Sequence, residues 1–269
     1  ISMLGSNDSY LEGFDKLQDS SQYYSYTEIE KQQRGIGFSY SKKWKNGSST
    51  NLTASRSILQ NNTSNISKLI DSKQMNDSSN YNSTLNNIDE SAIKLQHHLP
   101  STLKHNIVFG GGFIENGSDF YQDSIESILK SSREKLSRIN GYVIDKIQLN
   151  KAISIEPGLR VDIPLSSYKP LFQPRISAQI QPKKNIIFNI RLGLYNQFIS
   201  ENAILDNFNN YLYYWSIMDK EYSSTLKGKH AVAGASFNIK GIAFRIESYF
   251  KKTNGLTRWL SNNENYIIG

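Results

Sequence analysis

"NIIFNIRLGLYNQFIS", residues Asn185 to Ser200, alternates strictly between two kinds of side chain. Ile186, Phe188, Ile190, Leu192 and Leu194 fall on one side. Ile187, Asn189, Arg191, Gly193, Tyr195 and Gln197 fall on the other. A period of two is the signature of a β-strand with one oily and one polar face. In a soluble sandwich the oily face meets a core and the polar face meets bulk water. In a membrane barrel the oily face meets lipid and the polar face meets a lumen.

Working outward, the same pattern recurs. "RGIGFSYSKKWK" and "SSTNLTASRSIL" flank Asn46-Gly47, a pair suited to a two-residue hairpin because both positions tolerate positive φ. "SAIKLQHHL" and "HNIVFGGGFIEN" follow, then "NGYVIDKIQLN", "AISIEPGLRVDI" and "FQPRISAQIQ". "HAVAGASFN" and "GIAFRIESYFK" come last. About eleven strands are expected, counting a first one near residues 1–10. Short turns fall near 46–47, 99–104, 149–152, 182–185 and 238–241. Longer polar connections fall near 11–31, 63–85, 120–137 and 199–228 and after 252, with 164–170 a shortened member of that set. Alternating short and long connections characterise an up-and-down barrel with short periplasmic turns and long extracellular loops. A Greek-key sandwich has no reason to sort its loops this way.

Composition agrees with this reading. Of 269 residues, 38% are apolar and only 20% charged, with 16 Tyr among the 12% aromatics. Mean hydropathy is -0.52. Asn, Ser and Gln supply most of the polarity, as in a β protein with wet loops at both ends. No run approaches the roughly 20 apolar residues of a spanning helix, which leaves strands as the way to cross a membrane. Cys is absent, so neither a disulfide framework nor a thiolate site is available. The net charge of +7 comes from scattered Lys and Arg without a concentrated patch, so no nucleic-acid partner is expected.

The strands read as long, near the 9–11 residues that a barrel strand needs to cross. Tyr195, Phe198, Tyr249 and Phe250 gather toward the strand ends, as an interfacial aromatic girdle would. The expected fold is therefore all-β, a partial antiparallel up-and-down transmembrane β-barrel with long extracellular loops. The Ile186 to Leu194 face is read as lipid-facing; Asn189, Arg191 and Gln197 are read as lumen-facing.

"IEPGLRVDIP" through "QPRISAQIQPKKNIIFNIRLGLYNQFIS", and "HAVAGASFNIKGIAFRIESYFKKTNGLT", resemble the barrel of TonB-dependent outer-membrane receptors. The likeness is clearest over about 138–258 and leans toward Bacteroidetes-type receptors. It is carried by the "YNQF" strand end, Tyr195 to Phe198, and by Glu247 to Lys252. The resemblance implies a barrel of about 22 strands around an N-terminal plug. It implies inward transport of a scarce or bulky nutrient, such as an iron chelate, cobalamin, oligosaccharide or peptide, energised through TonB. It also implies outer-membrane lipid around the barrel and allows a surface lipoprotein as partner. Residues 1–269 then form part of one barrel domain, with the plug and remaining strands outside them. The opening "ISMLGSNDSYLEG" reads as the inside of a strand rather than a leader, which fits an internal piece of a longer protein.

On this reading Glu156, Arg160, Arg175, Arg191, Arg245 and Glu247 lie on the lumen face, as contacts for substrate or plug. Tyr211, Tyr213, Tyr214 and Trp215, in the connection 199–228, are candidate ligand contacts because flat amphipathic rings stack well on sugars and chelates. The alternative for these aromatics is packing within the loop or against a lipoprotein. His97 and His98 point to opposite faces and do not chelate one metal, so no metal or other cofactor is expected. Gly110, Gly111 and Gly112 sit inside a strand pattern, where they relieve crowding, and do not open a helix as a phosphate loop requires. "DSIESILKSSREKL" has the spacing of a short amphipathic helix on an external loop. No catalytic constellation stands out, and an enzyme is not expected. The competing expectation is a secreted or surface-attached soluble β-rich binding or adhesion protein.

Overall fold

The computed structural model describes residues 2–18, 21–71, 76–124, 128–167, 169–205, 211–217, 225–239, 241–255, 259–262 and 265–268. Their regular elements are all strands. In chain order these are β1 (Ser2–Gln18), β2 (Ser21–Lys43), β3 (Ser49–Asp71), β4 (Asn76–His98), β5 (His105–Ser124) and β6 (Ile128–Gln148). β7 (Ile153–Pro164), β8 (Leu171–Lys183), β9 (Ile186–Gln197), β10 (Ile199–Leu205) and β11 (Tyr211–Ile217) follow. β12 (Leu226–Ile239), β13 (Ile242–Asn254), β14 (Trp259–Asn262) and β15 (Asn265–Ile268) complete the set. Eleven strands form one sheet in the order β1 to β9, β12, β13, and β11-β10-β14-β15 form a second. Every neighbour in the large sheet is antiparallel. The expected up-and-down fold of about eleven strands is thus what the chain adopts.

Side-chain acceptors close the short turns. Gly47 takes φ +83°, and the Asn46 carboxamide oxygen accepts from the Ser48 N–H at 3.1 Å. Thr102 Oγ1 accepts from the His105 N–H at 2.9 Å. Asn150 Oδ1 accepts from the N–H groups of Ala152 and Ile153 at 2.8 and 2.9 Å. Asn and Thr bond locally to the backbone in this way, which reverses the chain without help from tertiary packing.

The opening stretch becomes β9, held between β8 and β12. Ile190 lies opposite Ala178 and Ala233, and Arg191 lies opposite Ser177 and Val232. Directly paired residues share a face, so each face can be followed across the sheet. On the outer face Phe38, Ala54, Ile93, Phe113 and Ile139 form a continuous row. These large apolar side chains are exposed: Phe188, Ile190, Leu192 and Leu194 retain 39–48% of their accessible surface. Exposed apolar rows on this scale mark a surface built for another medium than water.

The belt has an edge. Six residues along the strands from the Phe38 row, about 20 Å at the usual rise, the same face reads Gln32, Gln60, Asn87, Asp119 and Arg133. There Arg133 pairs with Asp119 at 2.6 Å, and Lys135 with Glu115 at 2.9 Å. β2 to β6 therefore combine an apolar stretch beside the short turns with a polar extension toward the long connections. β7, β8, β9, β12 and β13 are 12 to 14 residues long, against 20 to 23 for β2 to β6.

Three expectations are corrected here. The connections 11–31, 63–85 and 120–137 are mostly strand, because polar β-rich sequence goes on pairing beyond the belt. The helix expected within 120–137 is not formed: β5 runs to Ser124 and β6 starts at Ile128, with 125–127 outside the described residues. Cross-strand hydrogen bonding overrides the local helical spacing. Of the four girdle aromatics, Phe250 alone faces outward. Tyr195 and Tyr249 take inward register positions opposite Gly228 and Val232, and Phe198 is buried beneath Arg138.

Placing Lys at Ile190, in the middle of the belt, is expected to cost about 2–4 kcal/mol of barrel stability. The same change at Asn189, one residue along and facing inward, is expected to cost far less. The assembled fraction of each variant in detergent, read from the mobility difference between heated and unheated samples, checks the contrast.

Candidate functional site

The inner face carries the polar chemistry. Strand alternation sends Lys94, Asn116, Arg138, Arg160, Asp162 and Gln173 to this side, and the register aligns Asn140 with Asp162, Tyr142 with Arg160, and Arg160 with Gln173. Asp162 is completely buried. Arg160 grips it with both prongs of its guanidinium, Nε to Oδ2 at 2.7 Å and Nη2 to Oδ1 at 2.8 Å. Gln173 Nε2 also donates to Asp162 Oδ2. On the other side Arg138 Nε stands 3.8 Å from Asp162 Oδ1, and its Nη1 donates to Asn116 Oδ1. Asn116 in turn donates to Glu90 Oε2 at 3.0 Å. The polar ladder thus crosses five strands, with two carboxylates balancing two guanidiniums. Arg138 also lies over the Phe198 ring at 4.5 Å, and Gln173 Oε1 accepts from the Asn196 N–H at 3.2 Å. Both contacts tie the end of β9 and the connection after it to the wall.

Beside this ladder lie two cavities. One, of about 330 Å³, is lined by Asn51, Thr53, Lys94, Gln96, Tyr142 and Arg160, with Arg175 at its boundary. The other, of about 300 Å³, is lined by Lys146, Glu156, Arg175, Gln179, Asn189 and Arg191. Arg175 belongs to both and lies over the Tyr195 ring at 5.3 Å, while Tyr195 stacks on His230 at 4.6 Å. Gly110 makes room for the Tyr142 side chain that lines the first cavity: a Cβ there would come within 2.7 Å of the Tyr142 hydroxyl.

The six inner-face charges expected from the sequence do take inner register positions, but in three different situations. Glu156, Arg175 and Arg191 meet around one cavity. Arg160 is committed to Asp162. Arg245 and Glu247 pair with each other at 2.9 Å on the exposed strand β13, away from both cavities. Lys94, Lys146, Asp162 and Arg138 were missed. The Arg-x-Asp spacing at 160 and 162 signals a same-face pair in a strand; nothing local marks Arg138.

The connection 199–228 folds inward. β10 and β11 form a hairpin that lies against the inner face of β4, β5 and β6. Asn86 holds it at Trp215, accepting from the backbone N–H at 2.6 Å and donating to the carbonyl at 3.1 Å. Ser118 donates to the same carbonyl at 2.9 Å, and Glu134 Oε2 accepts from the Ile217 N–H at 2.7 Å. Tyr214 is buried against Phe120, ring centroids 4.6 Å apart. Burial, and then the nearby Glu134 carboxylate, push its phenol well above the ordinary tyrosine range. Tyr214 thus packs within the protein rather than standing at the surface. The side chains of Tyr211 and Tyr213 lie outside the described residues.

No protein-family description matches the chain, and no curated protein matches it. Among solved structures, the siderophore receptor PirA from Pseudomonas aeruginosa superposes with a TM-score of 0.52 at 11% identity. That match covers 98% of this chain and 56% of the receptor. A variant of the ferric enterobactin receptor PfeA from the same organism, in complex with enterobactin, gives 0.49 at 10% identity, covering 96% and 55%. The RagAB peptide importer gives 0.47 at 12% identity, covering 88% and 31%. The chain spans about half the length of the first two receptors. The likeness to PirA is one of fold: the eleven-stranded sheet is built as part of such a barrel.

Asp162→Ala leaves Arg138 and Arg160 without their buried counter-charge. It is expected to destabilise the protein by about 3–5 kcal/mol, read from urea unfolding in detergent. Asn86→Ala is expected to loosen the hairpin by about 1–3 kcal/mol, seen as faster amide exchange at Trp215 and Ile217 with β6 to β9 unchanged. The raised Tyr214 phenol sets a sign for alkaline pH. The folded pKa lies above the unfolded one, so the hairpin's stability is intact below the ordinary tyrosine range and is lost as pH rises through the raised value. Tyr214→Phe is expected to abolish that alkaline component.

Proposed function

We propose that this chain is a barrel segment of a TonB-dependent receptor in the outer membrane, serving inward transport of a scarce or bulky nutrient. The observation that carries the reading is the inversion of the sheet. Its large apolar side chains are exposed on one face, while most buried positions of the other are polar or charged, with Ile114, Phe120 and Leu136 among the apolar exceptions. A soluble β protein places these the other way round. The fold shared with part of PirA supports the same reading.

Within it, the inner wall has two jobs. The Glu90–Arg138–Asp162–Arg160 ladder is electrically balanced and fixes the wall. Lys94, Lys146, Arg175 and Arg191 form no ion pair among the described residues, and Glu156 alone offers them opposite charge around the second cavity. Unpaired cations facing a cavity suit a carboxylate-bearing stretch of a plug, or anionic groups on the passing solute. The polar wall that β2 to β6 raise beyond the belt offers a surface for a lipoprotein partner. "YNQF" and "ESYFKK" support placement among Bacteroidetes-type receptors.

The absence of Cys makes single introduced cysteines a direct test in the full native chain. In intact envelopes, cysteine at Phe188, Ile190 or Leu192 is expected to react with a membrane-partitioning maleimide and resist a charged one. Cysteine at Asn189 is expected to do the opposite, and the chain is expected to stay in the membrane through a carbonate wash. Release by the wash, with no lipid-phase labelling, overturns the membrane reading in favour of a soluble binding protein. For transport, loss of the gene is expected to abolish uptake of one solute among iron chelates, cobalamin, oligosaccharides and peptides. Unchanged uptake of all four overturns the nutrient reading.

A further inference from the structure

Lysines that are scattered along the chain are collected by the fold at one end of the sheet. The five short turns and the strand ends beside them span 42–49, 99–105, 148–153, 181–186 and 238–242. Together they carry eight Lys and no Asp or Glu. Antiparallel up-and-down order puts all five on the same edge. Lys43, Lys45, Lys104, Lys151, Lys183 and Lys184 are exposed there, and none makes an ion pair among the described residues. Lys240, in the fifth turn, lies outside the described residues. Asp145, close to this end on β6, is already held by His105 at 2.7 Å.

The rim is fixed in shape. Asn46, Thr102 and Asn150 close three of the turns locally. Neighbouring turns are then tied together. The Gln148 N–H donates to the Lys104 carbonyl at 2.7 Å, and the Gln181 N–H to the Ala152 carbonyl at 2.6 Å. The Asn238 N–H donates to the Asn185 carbonyl at 2.9 Å, and Asn185 Nδ2 returns a bond to the Asn238 carbonyl at 3.2 Å. Adjacent short turns are two strands apart, about 10 Å at the usual strand spacing.

The direction of the charges narrows the partner. On the outward side this end stays apolar, with Trp44, Leu99 and Leu149 exposed. Lys42, outward on β2, lies over the Trp44 ring at 4.1 Å. Lys43 takes an inward register position opposite Ser49, and Lys104 continues the inward set of β5 opposite Gln148. Lys45, Lys151 and Lys184 sit within the turns. These cations address the mouth of the inner face and the water beyond it, rather than the apolar surround. A preorganised row of cations about 10 Å apart suits an extended chain with a carboxylate at every third residue, since three extended residues span about 10 Å.

We propose that the short-turn rim, through Lys45, Lys104, Lys151 and Lys184, is a docking surface for an acidic, carboxylate-rich segment of a protein partner in the aqueous compartment on that side. The proposal rests on the membrane reading above, which makes this rim the mouth of the inner face.

The test uses the full native chain in nanodiscs of zwitterionic lipid. The probe is a fluorescent peptide of about 15 residues with Glu at every third position among Gly and Ser, against the same peptide with Gln at those positions. Anisotropy is expected to show binding of the Glu peptide alone, weakening as salt is added. Each lysine is expected to contribute about two-fold, and K45Q/K104Q/K151Q/K184Q together to weaken binding about 16-fold. The corresponding four arginine substitutions are expected to retain binding. K229Q/K252Q, at the opposite end of the sheet, is expected to leave it unchanged. A heat-shift gel confirms that each variant is folded. Equal binding of the two peptides, an unweakened quadruple variant, or an equal loss in K229Q/K252Q overturns the proposal. Anionic phospholipid retained through purification is expected to be the same with and without the four lysines. Loss of that lipid in the quadruple variant, with peptide binding unchanged, assigns the rim to headgroups and overturns the proposal. A chain that leaves membranes in carbonate overturns the membrane reading itself, whereas one that stays but binds both peptides alike overturns the rim alone.

Discussion

The structure depends on a continuous antiparallel ladder whose outer side chains are oily. Backbone N–H and C=O groups in a hydrocarbon medium find no water, so each must be satisfied by its neighbour strand. Ten successive strand pairings from β1 to β13 do this. Once the backbone is satisfied, the outer face has only to be apolar, and packing there is loose enough that Ile190, between two paired strands, keeps 47% of its surface exposed. The most enclosed positions are Asn116 and Asp162, both on the inner face. Apolar outside and polar inside is the arrangement that lets a sheet stand between lipid and an aqueous interior.

Burying charge on that inner face has a cost that only pairing offsets. Asp162 meets it with a bidentate arginine, a second arginine and a glutamine, so no lone charge is left dry. Arg138 gains an amide acceptor and an aromatic face as well. This ladder is why charged inner positions do not all mean the same thing. Arg160 is neutralised where it stands. Arg175 and Arg191 face open cavity, and their charge remains available to something that enters it. A variant that removes Arg160 therefore leaves Asp162 without its bidentate partner, and one that removes Arg191 changes the charge of the cavity alone.

The two sides of the sheet differ beyond the belt. β2 to β6 continue as a paired, polar wall, whereas β7 to β9, β12 and β13 end near the edge of the apolar stretch. The connection between β9 and β12 uses the difference: its hairpin leans across and settles on the inner side of the taller wall. Trp215 is clamped there by its backbone, through Asn86 and Ser118, so the position of the hairpin is set by main-chain geometry more than by ring identity. The shorter side leaves outward lysines next to bare apolar surface, a setting that β5 and β6 avoid by placing Asp119 and Glu115 beside Arg133 and Lys135.

Strand alternation was legible directly. Ile186 to Leu194 announces one oily face, and Asn46-Gly47 announces a hairpin, because both are local consequences of a period of two and of turn chemistry. The inward positions of Glu156, Arg160, Arg175 and Arg191 follow from the same parity. The helical spacing in "DSIESILKSSREKL" misled, since the partner strand that decides between helix and sheet is distant in sequence. What tertiary structure alone decided is which inward groups meet. Arg138 reaches Asp162 because the register between β6 and β7 puts Asn140 opposite Asp162 and leaves Arg138 a turn of the pleat away. Tyr214 is buried because the hairpin folds onto β5, where Phe120 waits. Parity along one strand is written in that strand; contact between strands depends on register and on the path of a long connection, and neither is encoded in any short stretch of the chain.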